Sequence, residues 1–199
     1  MVTIVRRRVL LGAVALGAFA LVAERAAAQA IPAATSKPIM VASLKANGDS
    51  RVQSDVTTNF KDGDLVVGLP DKVVFVHFPV KRDLPAGAVI QSAELVMSFR
   101  TLSTGSNPVD IGKVEARWEE ATINAVNQPS VTWKGAPRTV SPGATVTYDV
   151  RKVVQSWLDG QQNNGFALRG DGSLMYGYSR ETAPSPSQQP TLRIKYIVP

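Results

Sequence analysis

The chain has 199 residues, of which 22 are Lys or Arg and 16 are Asp or Glu, so its net charge at neutral pH is +6. It contains one His and no Cys, which excludes disulfides, thiolate metal sites, a catalytic cysteine and zinc sites with several histidines. Its apolar content of 44% excludes a disordered chain, and its length suits one domain with a full core.

The first thirty residues predict an export signal. Residues 6–8 are all arginine, residues 9–23 form an apolar run, and the small residues at 26–30 suit signal peptidase. The run is shorter than a membrane span needs, which favours cleavage over a transmembrane anchor. The arginines leave twin-arginine export open beside ordinary secretion. The predicted location is therefore secreted, periplasmic or on the cell surface, with no membrane attachment after cleavage.

Cleavage after residue 30 would leave a net charge of about +3 on scattered side chains. No concentrated basic face is evident, so nucleic acid is not a predicted partner. The charge supports only a modest preference for an acidic partner.

Residues 31–42 predict an extended leader, because they combine proline with small polar residues, and a single domain is predicted at 43–199. Within it, short β-branched or alternating segments recur between Gly, Pro, Asn and Asp turns, a spacing typical of an antiparallel β-sandwich. The predicted strands are 41–46, 51–54, 65–68, 73–80, 90–101, 109–118, 130–133, 145–149, 165–169, 175–179 and 191–197.

The strand predicted at 73–80 shows which side chains point inward. Alternate residues from Val74 to Val80 share one face, whereas Phe75 and His77 share the other. This pattern is typical of a strand with one core face and one solvated face.

One segment departs from the β pattern. Residues 150–158 carry apolar side chains at helical spacing, with Asp149 as the predicted N-cap and Gly160 as the predicted end. The sequence therefore predicts one short helix across an end of the sandwich, with Trp157 on its core side.

The residues do not form a recognisable catalytic centre. No Gly-x-Ser-x-Gly elbow accompanies His77, so a structural or exposed histidine is favoured. Glu119 and Glu120 are adjacent on an extended chain and should point apart, unlike the facing carboxylates of a glycosidase. We expect both to lie on a solvated loop.

Acidic turns offer oxygen ligands for a structural calcium ion, although none matches an EF-hand loop. The candidate ligands are Asp49, Asp62 and Asp64, and ordinary turns are the alternative. No other cofactor is predicted. Among the aromatic residues, Trp118 and Trp133 lie at predicted strand ends, where packing and sugar stacking both stay open.

Short motifs that follow one another in a fixed order resemble the DNRLRE domain family, a group of secreted, jelly-roll-like domains. The resemblance covers residues 43–197. It is carried by ANGDSRV at 46–52, LVVG at 65–68, FVHF at 75–78, LPAGAVI at 84–90, SAEL at 92–95, WEEAT at 118–122, DV at 149–150, VQSW at 154–157, NGFAL at 164–168, YSRE at 178–181 and PTL at 190–192. The chain departs from the family at Pro79, where Asp is usual, and at 122–127, where an aromatic residue is usual.

The resemblance implies a jelly-roll-like, all-β antiparallel sandwich and a non-catalytic carbohydrate-binding module. Members described as binding alginate-type acidic polysaccharide make such a polymer the expected partner. The candidate ligand-binding residues are Arg51, His77, Arg100, Tyr178 and Arg180. We expect His77 and Arg100 on outward strand faces. Arg180 would either pair with Glu181 or bind a uronate carboxylate.

Two other functions stay open. In a structural subunit of an extracellular fibre, matrix or cell-surface layer, the leader at 31–42 would pair with a neighbour's sheet edge, giving self-association. In a polysaccharide lyase, Tyr178 or His77 would act as the base and Arg180 would neutralise the substrate carboxylate. The lyase is disfavoured because no acid–base pair is evident.

Overall fold

A computed structural model describes residues 37–68, 71–102 and 105–199, all within the compact unit Ser36–Pro199. The predicted export signal at 1–30 and the leader residues 31–36 lie outside the described residues. In the described ranges, no helix has both the length and the apolar character that a membrane crossing requires.

The described residues form mostly strands, with two short helices. In chain order the elements are β1 (Met40–Lys45), β2 (Gly48–Gln53), β3 (Leu65–Val67), β4 (Lys72–His77), α1 (Val80–Asp83), β5 (Val89–Ser98), β6 (Asn107–Val114), β7 (Val131–Trp133), β8 (Arg138–Val140), β9 (Thr145–Asp149), α2 (Arg151–Leu158), β10 (Phe166–Gly170), β11 (Met175–Gly177) and β12 (Thr191–Ile197).

Two antiparallel sheets make the sandwich. One has the order β1-β12-β5-β9, and the other has the order β2-β4-β10-β6-β7 with β8 also paired to β6. Strands β11 and β3 form a separate pair. The chain passes repeatedly from one sheet to the other, as in a jelly roll, and the all-β sandwich predicted from the sequence is confirmed.

The main core lies between the sheets. Leu95 and Ile194 of the four-stranded sheet pack with Val76 and Leu168 of the six-stranded sheet, and all four are buried. Trp157 of α2 joins the same core, as predicted, and its ring centroid lies 4.9 Å from that of Phe166.

A second core covers the outer face of the six-stranded sheet. Phe75 and Ala167 pack there against Ile123, a buried residue of the segment 115–130, and Trp118 lies 5.7 Å from Phe75 between ring centroids. The inward face predicted for β4 is confirmed, since Val74 lies in the main core. The solvated outer face predicted for the same strand is wrong, because the segment 115–130 buries it.

The helices also differ from the prediction of a single one. Pro79 ends the strand early because it cannot donate to the ladder, and α1 follows it as a single turn. Helix α2 has Val150 as its N-cap, not Asp149. The Asp149 carboxylate nevertheless accepts the Arg151 N–H at 3.0 Å, and Gly160 follows the helix at φ +112°, as its predicted stop requires.

Strand β1 begins inside the predicted leader. Met40 pairs with Tyr196 and Ala42 with Ile194 of β12, so residues 40–42 belong to the sandwich. The sequence does not predict strand β8. It is three residues long with two of them exposed, too short for an alternating pattern to show.

Gly165 allows the chain to enter β10 tightly against β4. It has φ +82°, and a Cβ atom added to it would collide with the backbone carbonyl oxygen of Val76. We expect Gly165→Ala to lower the free energy of unfolding by about 1–3 kcal/mol from backbone strain alone, and by more from the collision. Urea denaturation would measure the loss.

Gly87→Ala is the matched control for that substitution. Gly87 has φ +75°, but no atom lies within 4 Å of the added Cβ. It shares the backbone penalty and lacks the collision, so its loss should be clearly smaller. Equal losses in the two variants would contradict a steric role for Gly165.

Candidate functional site

Three of the predicted ligand-binding residues meet around Asp64. The Arg100 Nε lies 3.2 Å from the Asp64 carboxylate, and the Arg100 guanidinium lies 5.0 Å from the centre of the Tyr178 ring. Arg51 lies over the Phe60 ring at 4.1 Å; burial lowers its pKa, and the nearby Asp64 charge opposes that shift. Arg100, expected on an outward strand face, is half-buried just after β5.

Arg180 lies in a cluster with Asp49, Glu120 and Glu181, here called the Arg180 cluster. One guanidinium nitrogen of Arg180 contacts Glu120 at 2.5 Å and Glu181 at 3.1 Å. The pairing of Arg180 with Glu181 was one of its two predicted roles. Glu120, expected on a solvated loop, instead accepts the Asp49 backbone N–H at 2.8 Å and is half-buried.

Asp49 is the most buried charged residue of the Arg180 cluster. Asp49 is 0% exposed, and this burial raises the pKa of its carboxyl to about 7. The Arg180 backbone N–H donates to the carboxyl at 3.0 Å and opposes the shift, because the bond favours the charged form. The carboxyl oxygen that does not accept this bond has no hydrogen-bond partner.

The raised pKa of Asp49 predicts a pH-dependent stability. Between the unfolded value of 3.8 and the folded value of about 7, the native protein keeps a proton that the unfolded chain has released. Stability contributed by Asp49 is therefore full below that range and declines as pH rises through it. The stability of wild type relative to Asp49→Asn should fall by at most about 1.4 kcal/mol per pH unit.

Urea denaturation from acidic to mildly alkaline pH, in buffer that contains a chelator, would measure this difference. Asp62→Asn is the control, because Asp62 is an exposed carboxylate paired with Lys61. A wild-type advantage over Asp49→Asn that does not change with pH would contradict the assignment.

His77 lies in a polar pocket of about 500 Å³ that is also lined by Asn47, Trp118 and Asn163. Its Nδ1 lies 2.7 Å from the Asn47 side-chain oxygen and its Nε2 lies 3.2 Å from the Asn163 carbonyl oxygen. Burial lowers the pKa of His77, which favours the neutral imidazole. His77, expected to face outward, is half-buried in this pocket.

A second cavity, a groove beside β7, is less polar than the pocket around His77. It holds about 450 Å³ between β6, β7 and the start of α2, and its floor is apolar. We call it the lysine groove, defined by Lys113, Trp133, Lys134 and Lys152, with a floor that includes Phe166.

The lysine groove carries more positive than negative charge. Its lining includes three lysines and one carboxylate, that of Asp149, which accepts a hydrogen bond from the Arg151 N–H. The Lys134 ammonium donates to the Asp149 backbone carbonyl at 3.0 Å and so is fixed at the rim. Trp133 is half-buried, but its side chain lies on the other face of the six-stranded sheet from the groove floor, where it packs with the second core and has the Arg169 guanidinium 4.2 Å from the centre of its ring. The groove can therefore offer an apolar floor and ammonium groups to the same ligand.

The sequence did not identify the groove residues as candidates. Lys113, Lys134 and Lys152 are far apart in the chain and have no shared motif. Trp133, which the sequence places at a strand end, lies at the end of β7, and its side chain packs with the second core.

The predicted calcium ligands separate in the structure. Asp62 pairs with Lys61 at 2.8 Å, and Asp64 pairs with Arg100. Only Asp49 lies in a group of acidic residues close enough to hold a metal ion together, and its companions among the described residues are Glu120 and Glu181.

Comparison with known proteins identifies a family. No curated protein matches the chain. The model of carbohydrate-binding module family 96 matches residues 40–196, which is most of the chain and spans the sandwich from β1 to β12. The match supports a carbohydrate-binding role, and the DNRLRE name is not confirmed by it. The chain belongs to carbohydrate-binding module family 96.

Proposed function

We propose that this chain is a non-catalytic module that binds an acidic, alginate-type polysaccharide in the lysine groove. One observation carries the proposal: three lysine side chains surround a groove with an apolar floor. The predicted export signal at 1–30 supports a secreted, periplasmic or cell-surface location, where such polymers occur.

The chemistry of a uronate polymer fits this groove. Each uronate ring has C–H faces that can lie on the apolar floor, and one carboxylate that an ammonium group can bind. Lys134 and Lys152 are exposed, so their charges reach a ligand without the cost of displacing a buried partner.

The residues predicted earlier are less suited to this task. Arg51 and Arg100 lie at Asp64, and Arg180 lies at three carboxylates. A uronate would have to compete with those internal charges for each guanidinium. Their binding of carbohydrate stays a prediction.

Affinity electrophoresis in native gels would test the function. Alginate and polygalacturonate should retard the protein, and a neutral glucan should retard it much less. No retardation by any of these polymers would overturn the proposal. Stronger retardation by the neutral glucan would overturn its acidic preference.

The absence of catalysis is part of the proposal. Both ring nitrogens of His77, one of the predicted lyase bases, contact oxygens of Asn47 and Asn163. Arg180, predicted to neutralise the substrate carboxylate, is held among three carboxylates. Incubation with a uronate polymer should give no rise in absorbance from an unsaturated product. A steady rise that is lost in His77→Gln or Tyr178→Phe would restore the lyase.

A structural subunit is the second candidate function, and one observation favours it. Strand β1 is an edge strand, and Ile39, Met40 and Val41 at its start are 62%, 45% and 71% exposed. An exposed apolar edge can pair with another chain. Size-exclusion chromatography with light scattering would decide: oligomers that Ile39→Ser plus Val41→Ser dissociates would favour it, and a monomer at all concentrations would exclude it.

A further inference from the structure

The Arg180 cluster is incomplete in both charge and hydrogen bonding. It contains three carboxylates and one guanidinium, so its net charge is −2 when all are ionised. One carboxyl oxygen of Asp49 is buried without a hydrogen-bond partner. The Arg180 Nε is also buried without a hydrogen-bond partner. It lies 3.7 Å from the other Asp49 oxygen, and this distance is too long for a hydrogen bond. Arg180 therefore does not satisfy the cluster.

We propose that Asp49, Glu120 and Glu181 form a Ca²⁺ site. Each offers a carboxylate oxygen, and these three oxygens lie within 4.8 Å of one another. Oxygens bound to one Ca²⁺ ion lie at most about 5 Å apart, because each bond is about 2.3–2.6 Å long. The ligands are all carboxylates, which suits a hard cation better than zinc or copper.

The three ligands come from separate parts of the chain. Asp49 lies in β2, Glu120 lies in the segment that covers the second core, and Glu181 follows β11. Two backbone bonds already hold the arrangement, from Asp49 N–H to Glu120 and from Arg180 N–H to Asp49. An ion here would join the edge of one sheet to two connecting segments, so its binding should stabilise the fold.

The Arg180 side chain would have to release some of its contacts when the ion binds. Its side chain is 28% exposed, which leaves it a path toward solvent. The backbone bond from Arg180 to Asp49 would stay in place. The site shares no lining residue with the lysine groove, so the calcium proposal does not depend on the proposed function.

The test uses the whole protein, first stripped with EDTA and then titrated with CaCl₂. Isothermal titration calorimetry should give one site, and the Tm should rise by several degrees. Tb³⁺ should give sensitised luminescence that CaCl₂ reverses, because Trp118 packs beside Gly48, the neighbour of Asp49. MgCl₂ should act more weakly.

Two variants and one control make the assignment specific. Asp49→Asn and Glu181→Gln should each weaken Ca²⁺ binding at least tenfold. Glu119→Gln should bind as wild type does, since Glu119 is exposed and pairs with Arg117 outside the cluster. If Asp49→Asn fails to fold, Glu181→Gln decides, because Glu181 lies at the surface.

Three results would overturn the site. The first is no heat, no Tm shift and no Tb³⁺ luminescence in the wild type up to about 10 mM, which is about tenfold above the weakest affinities, about 1 mM, of extracellular calcium modules. The second is wild-type affinity in Glu181→Gln. The third is an equal loss in Glu119→Gln, which would indicate diffuse attraction of cations.

Discussion

Replacing Trp157 by alanine is expected to lower the free energy of unfolding by about 3–5 kcal/mol. Trp157 is 0% exposed and packs at 4.9 Å from Phe166, so its removal leaves a cavity at the junction of α2 and the six-stranded sheet. Val154, one turn earlier on α2, belongs to the same core and would lose a packing partner on that side. Urea denaturation would measure the change.

Trp157→Phe separates lost volume from a lost polar contact. The indole N–H of Trp157 is buried without a hydrogen-bond partner, so phenylalanine removes volume and no hydrogen bond. We expect a loss well below that of the alanine variant. Val126→Ala is a surface control, since Val126 is 80% exposed, and it should change stability by less than about 0.5 kcal/mol. A Trp157→Ala loss as small as that of Val126→Ala would contradict this account.

The parts of the fold that the sequence predicts are those with a regular period. Alternation in β4 identified its inner face, and helical spacing at 150–158 identified α2 and the burial of Trp157. In both elements the side chains on one face meet the same core, so a local pattern carries the tertiary information.

The second core could not be predicted in this way. Ile123 is buried, yet it lies in a segment without regular secondary structure, where no period marks an inward side chain. The Arg180 cluster could not be predicted from the sequence for a similar reason. Asp49 is opposite Val76 and Arg51 is opposite Val74, so both charged residues lie on the face of β2 that points to the main core. A partner distant in sequence makes the placement of Asp49 tolerable, because the Arg180 backbone N–H donates to its carboxylate at 3.0 Å.

The lysine groove is a tertiary feature in the same sense. Lys113 is the second-to-last residue of β6, Lys134 follows β7, and Lys152 lies in the first turn of α2. No spacing in the sequence connects the three. Antiparallel pairing of β6 with β7 brings the first two elements together, and the packing of α2 against the sandwich adds the third.

Replacing the groove lysines together, as Lys113→Gln, Lys134→Gln and Lys152→Gln, is expected to weaken binding of a uronate polymer by about 10- to 100-fold. Each exposed ion pair contributes up to about 1 kcal/mol. Lys113 is half-buried and already pairs with Glu115 at 3.5 Å, so the exposed Lys134 and Lys152 should account for most of the loss. Affinity electrophoresis over a series of alginate concentrations would measure it. Added salt should weaken wild-type binding and have less effect on the variant, because screening removes the same interaction.

A control with the same change in net charge tests whether the position of the lysines matters. Lys37, Lys81 and Lys195 are exposed and do not line the groove, so their joint replacement by Gln should leave affinity within about twofold if long-range attraction is minor. Equal losses in the two lysine triple variants would show that net charge alone attracts the polymer, and the groove would then not be its binding site.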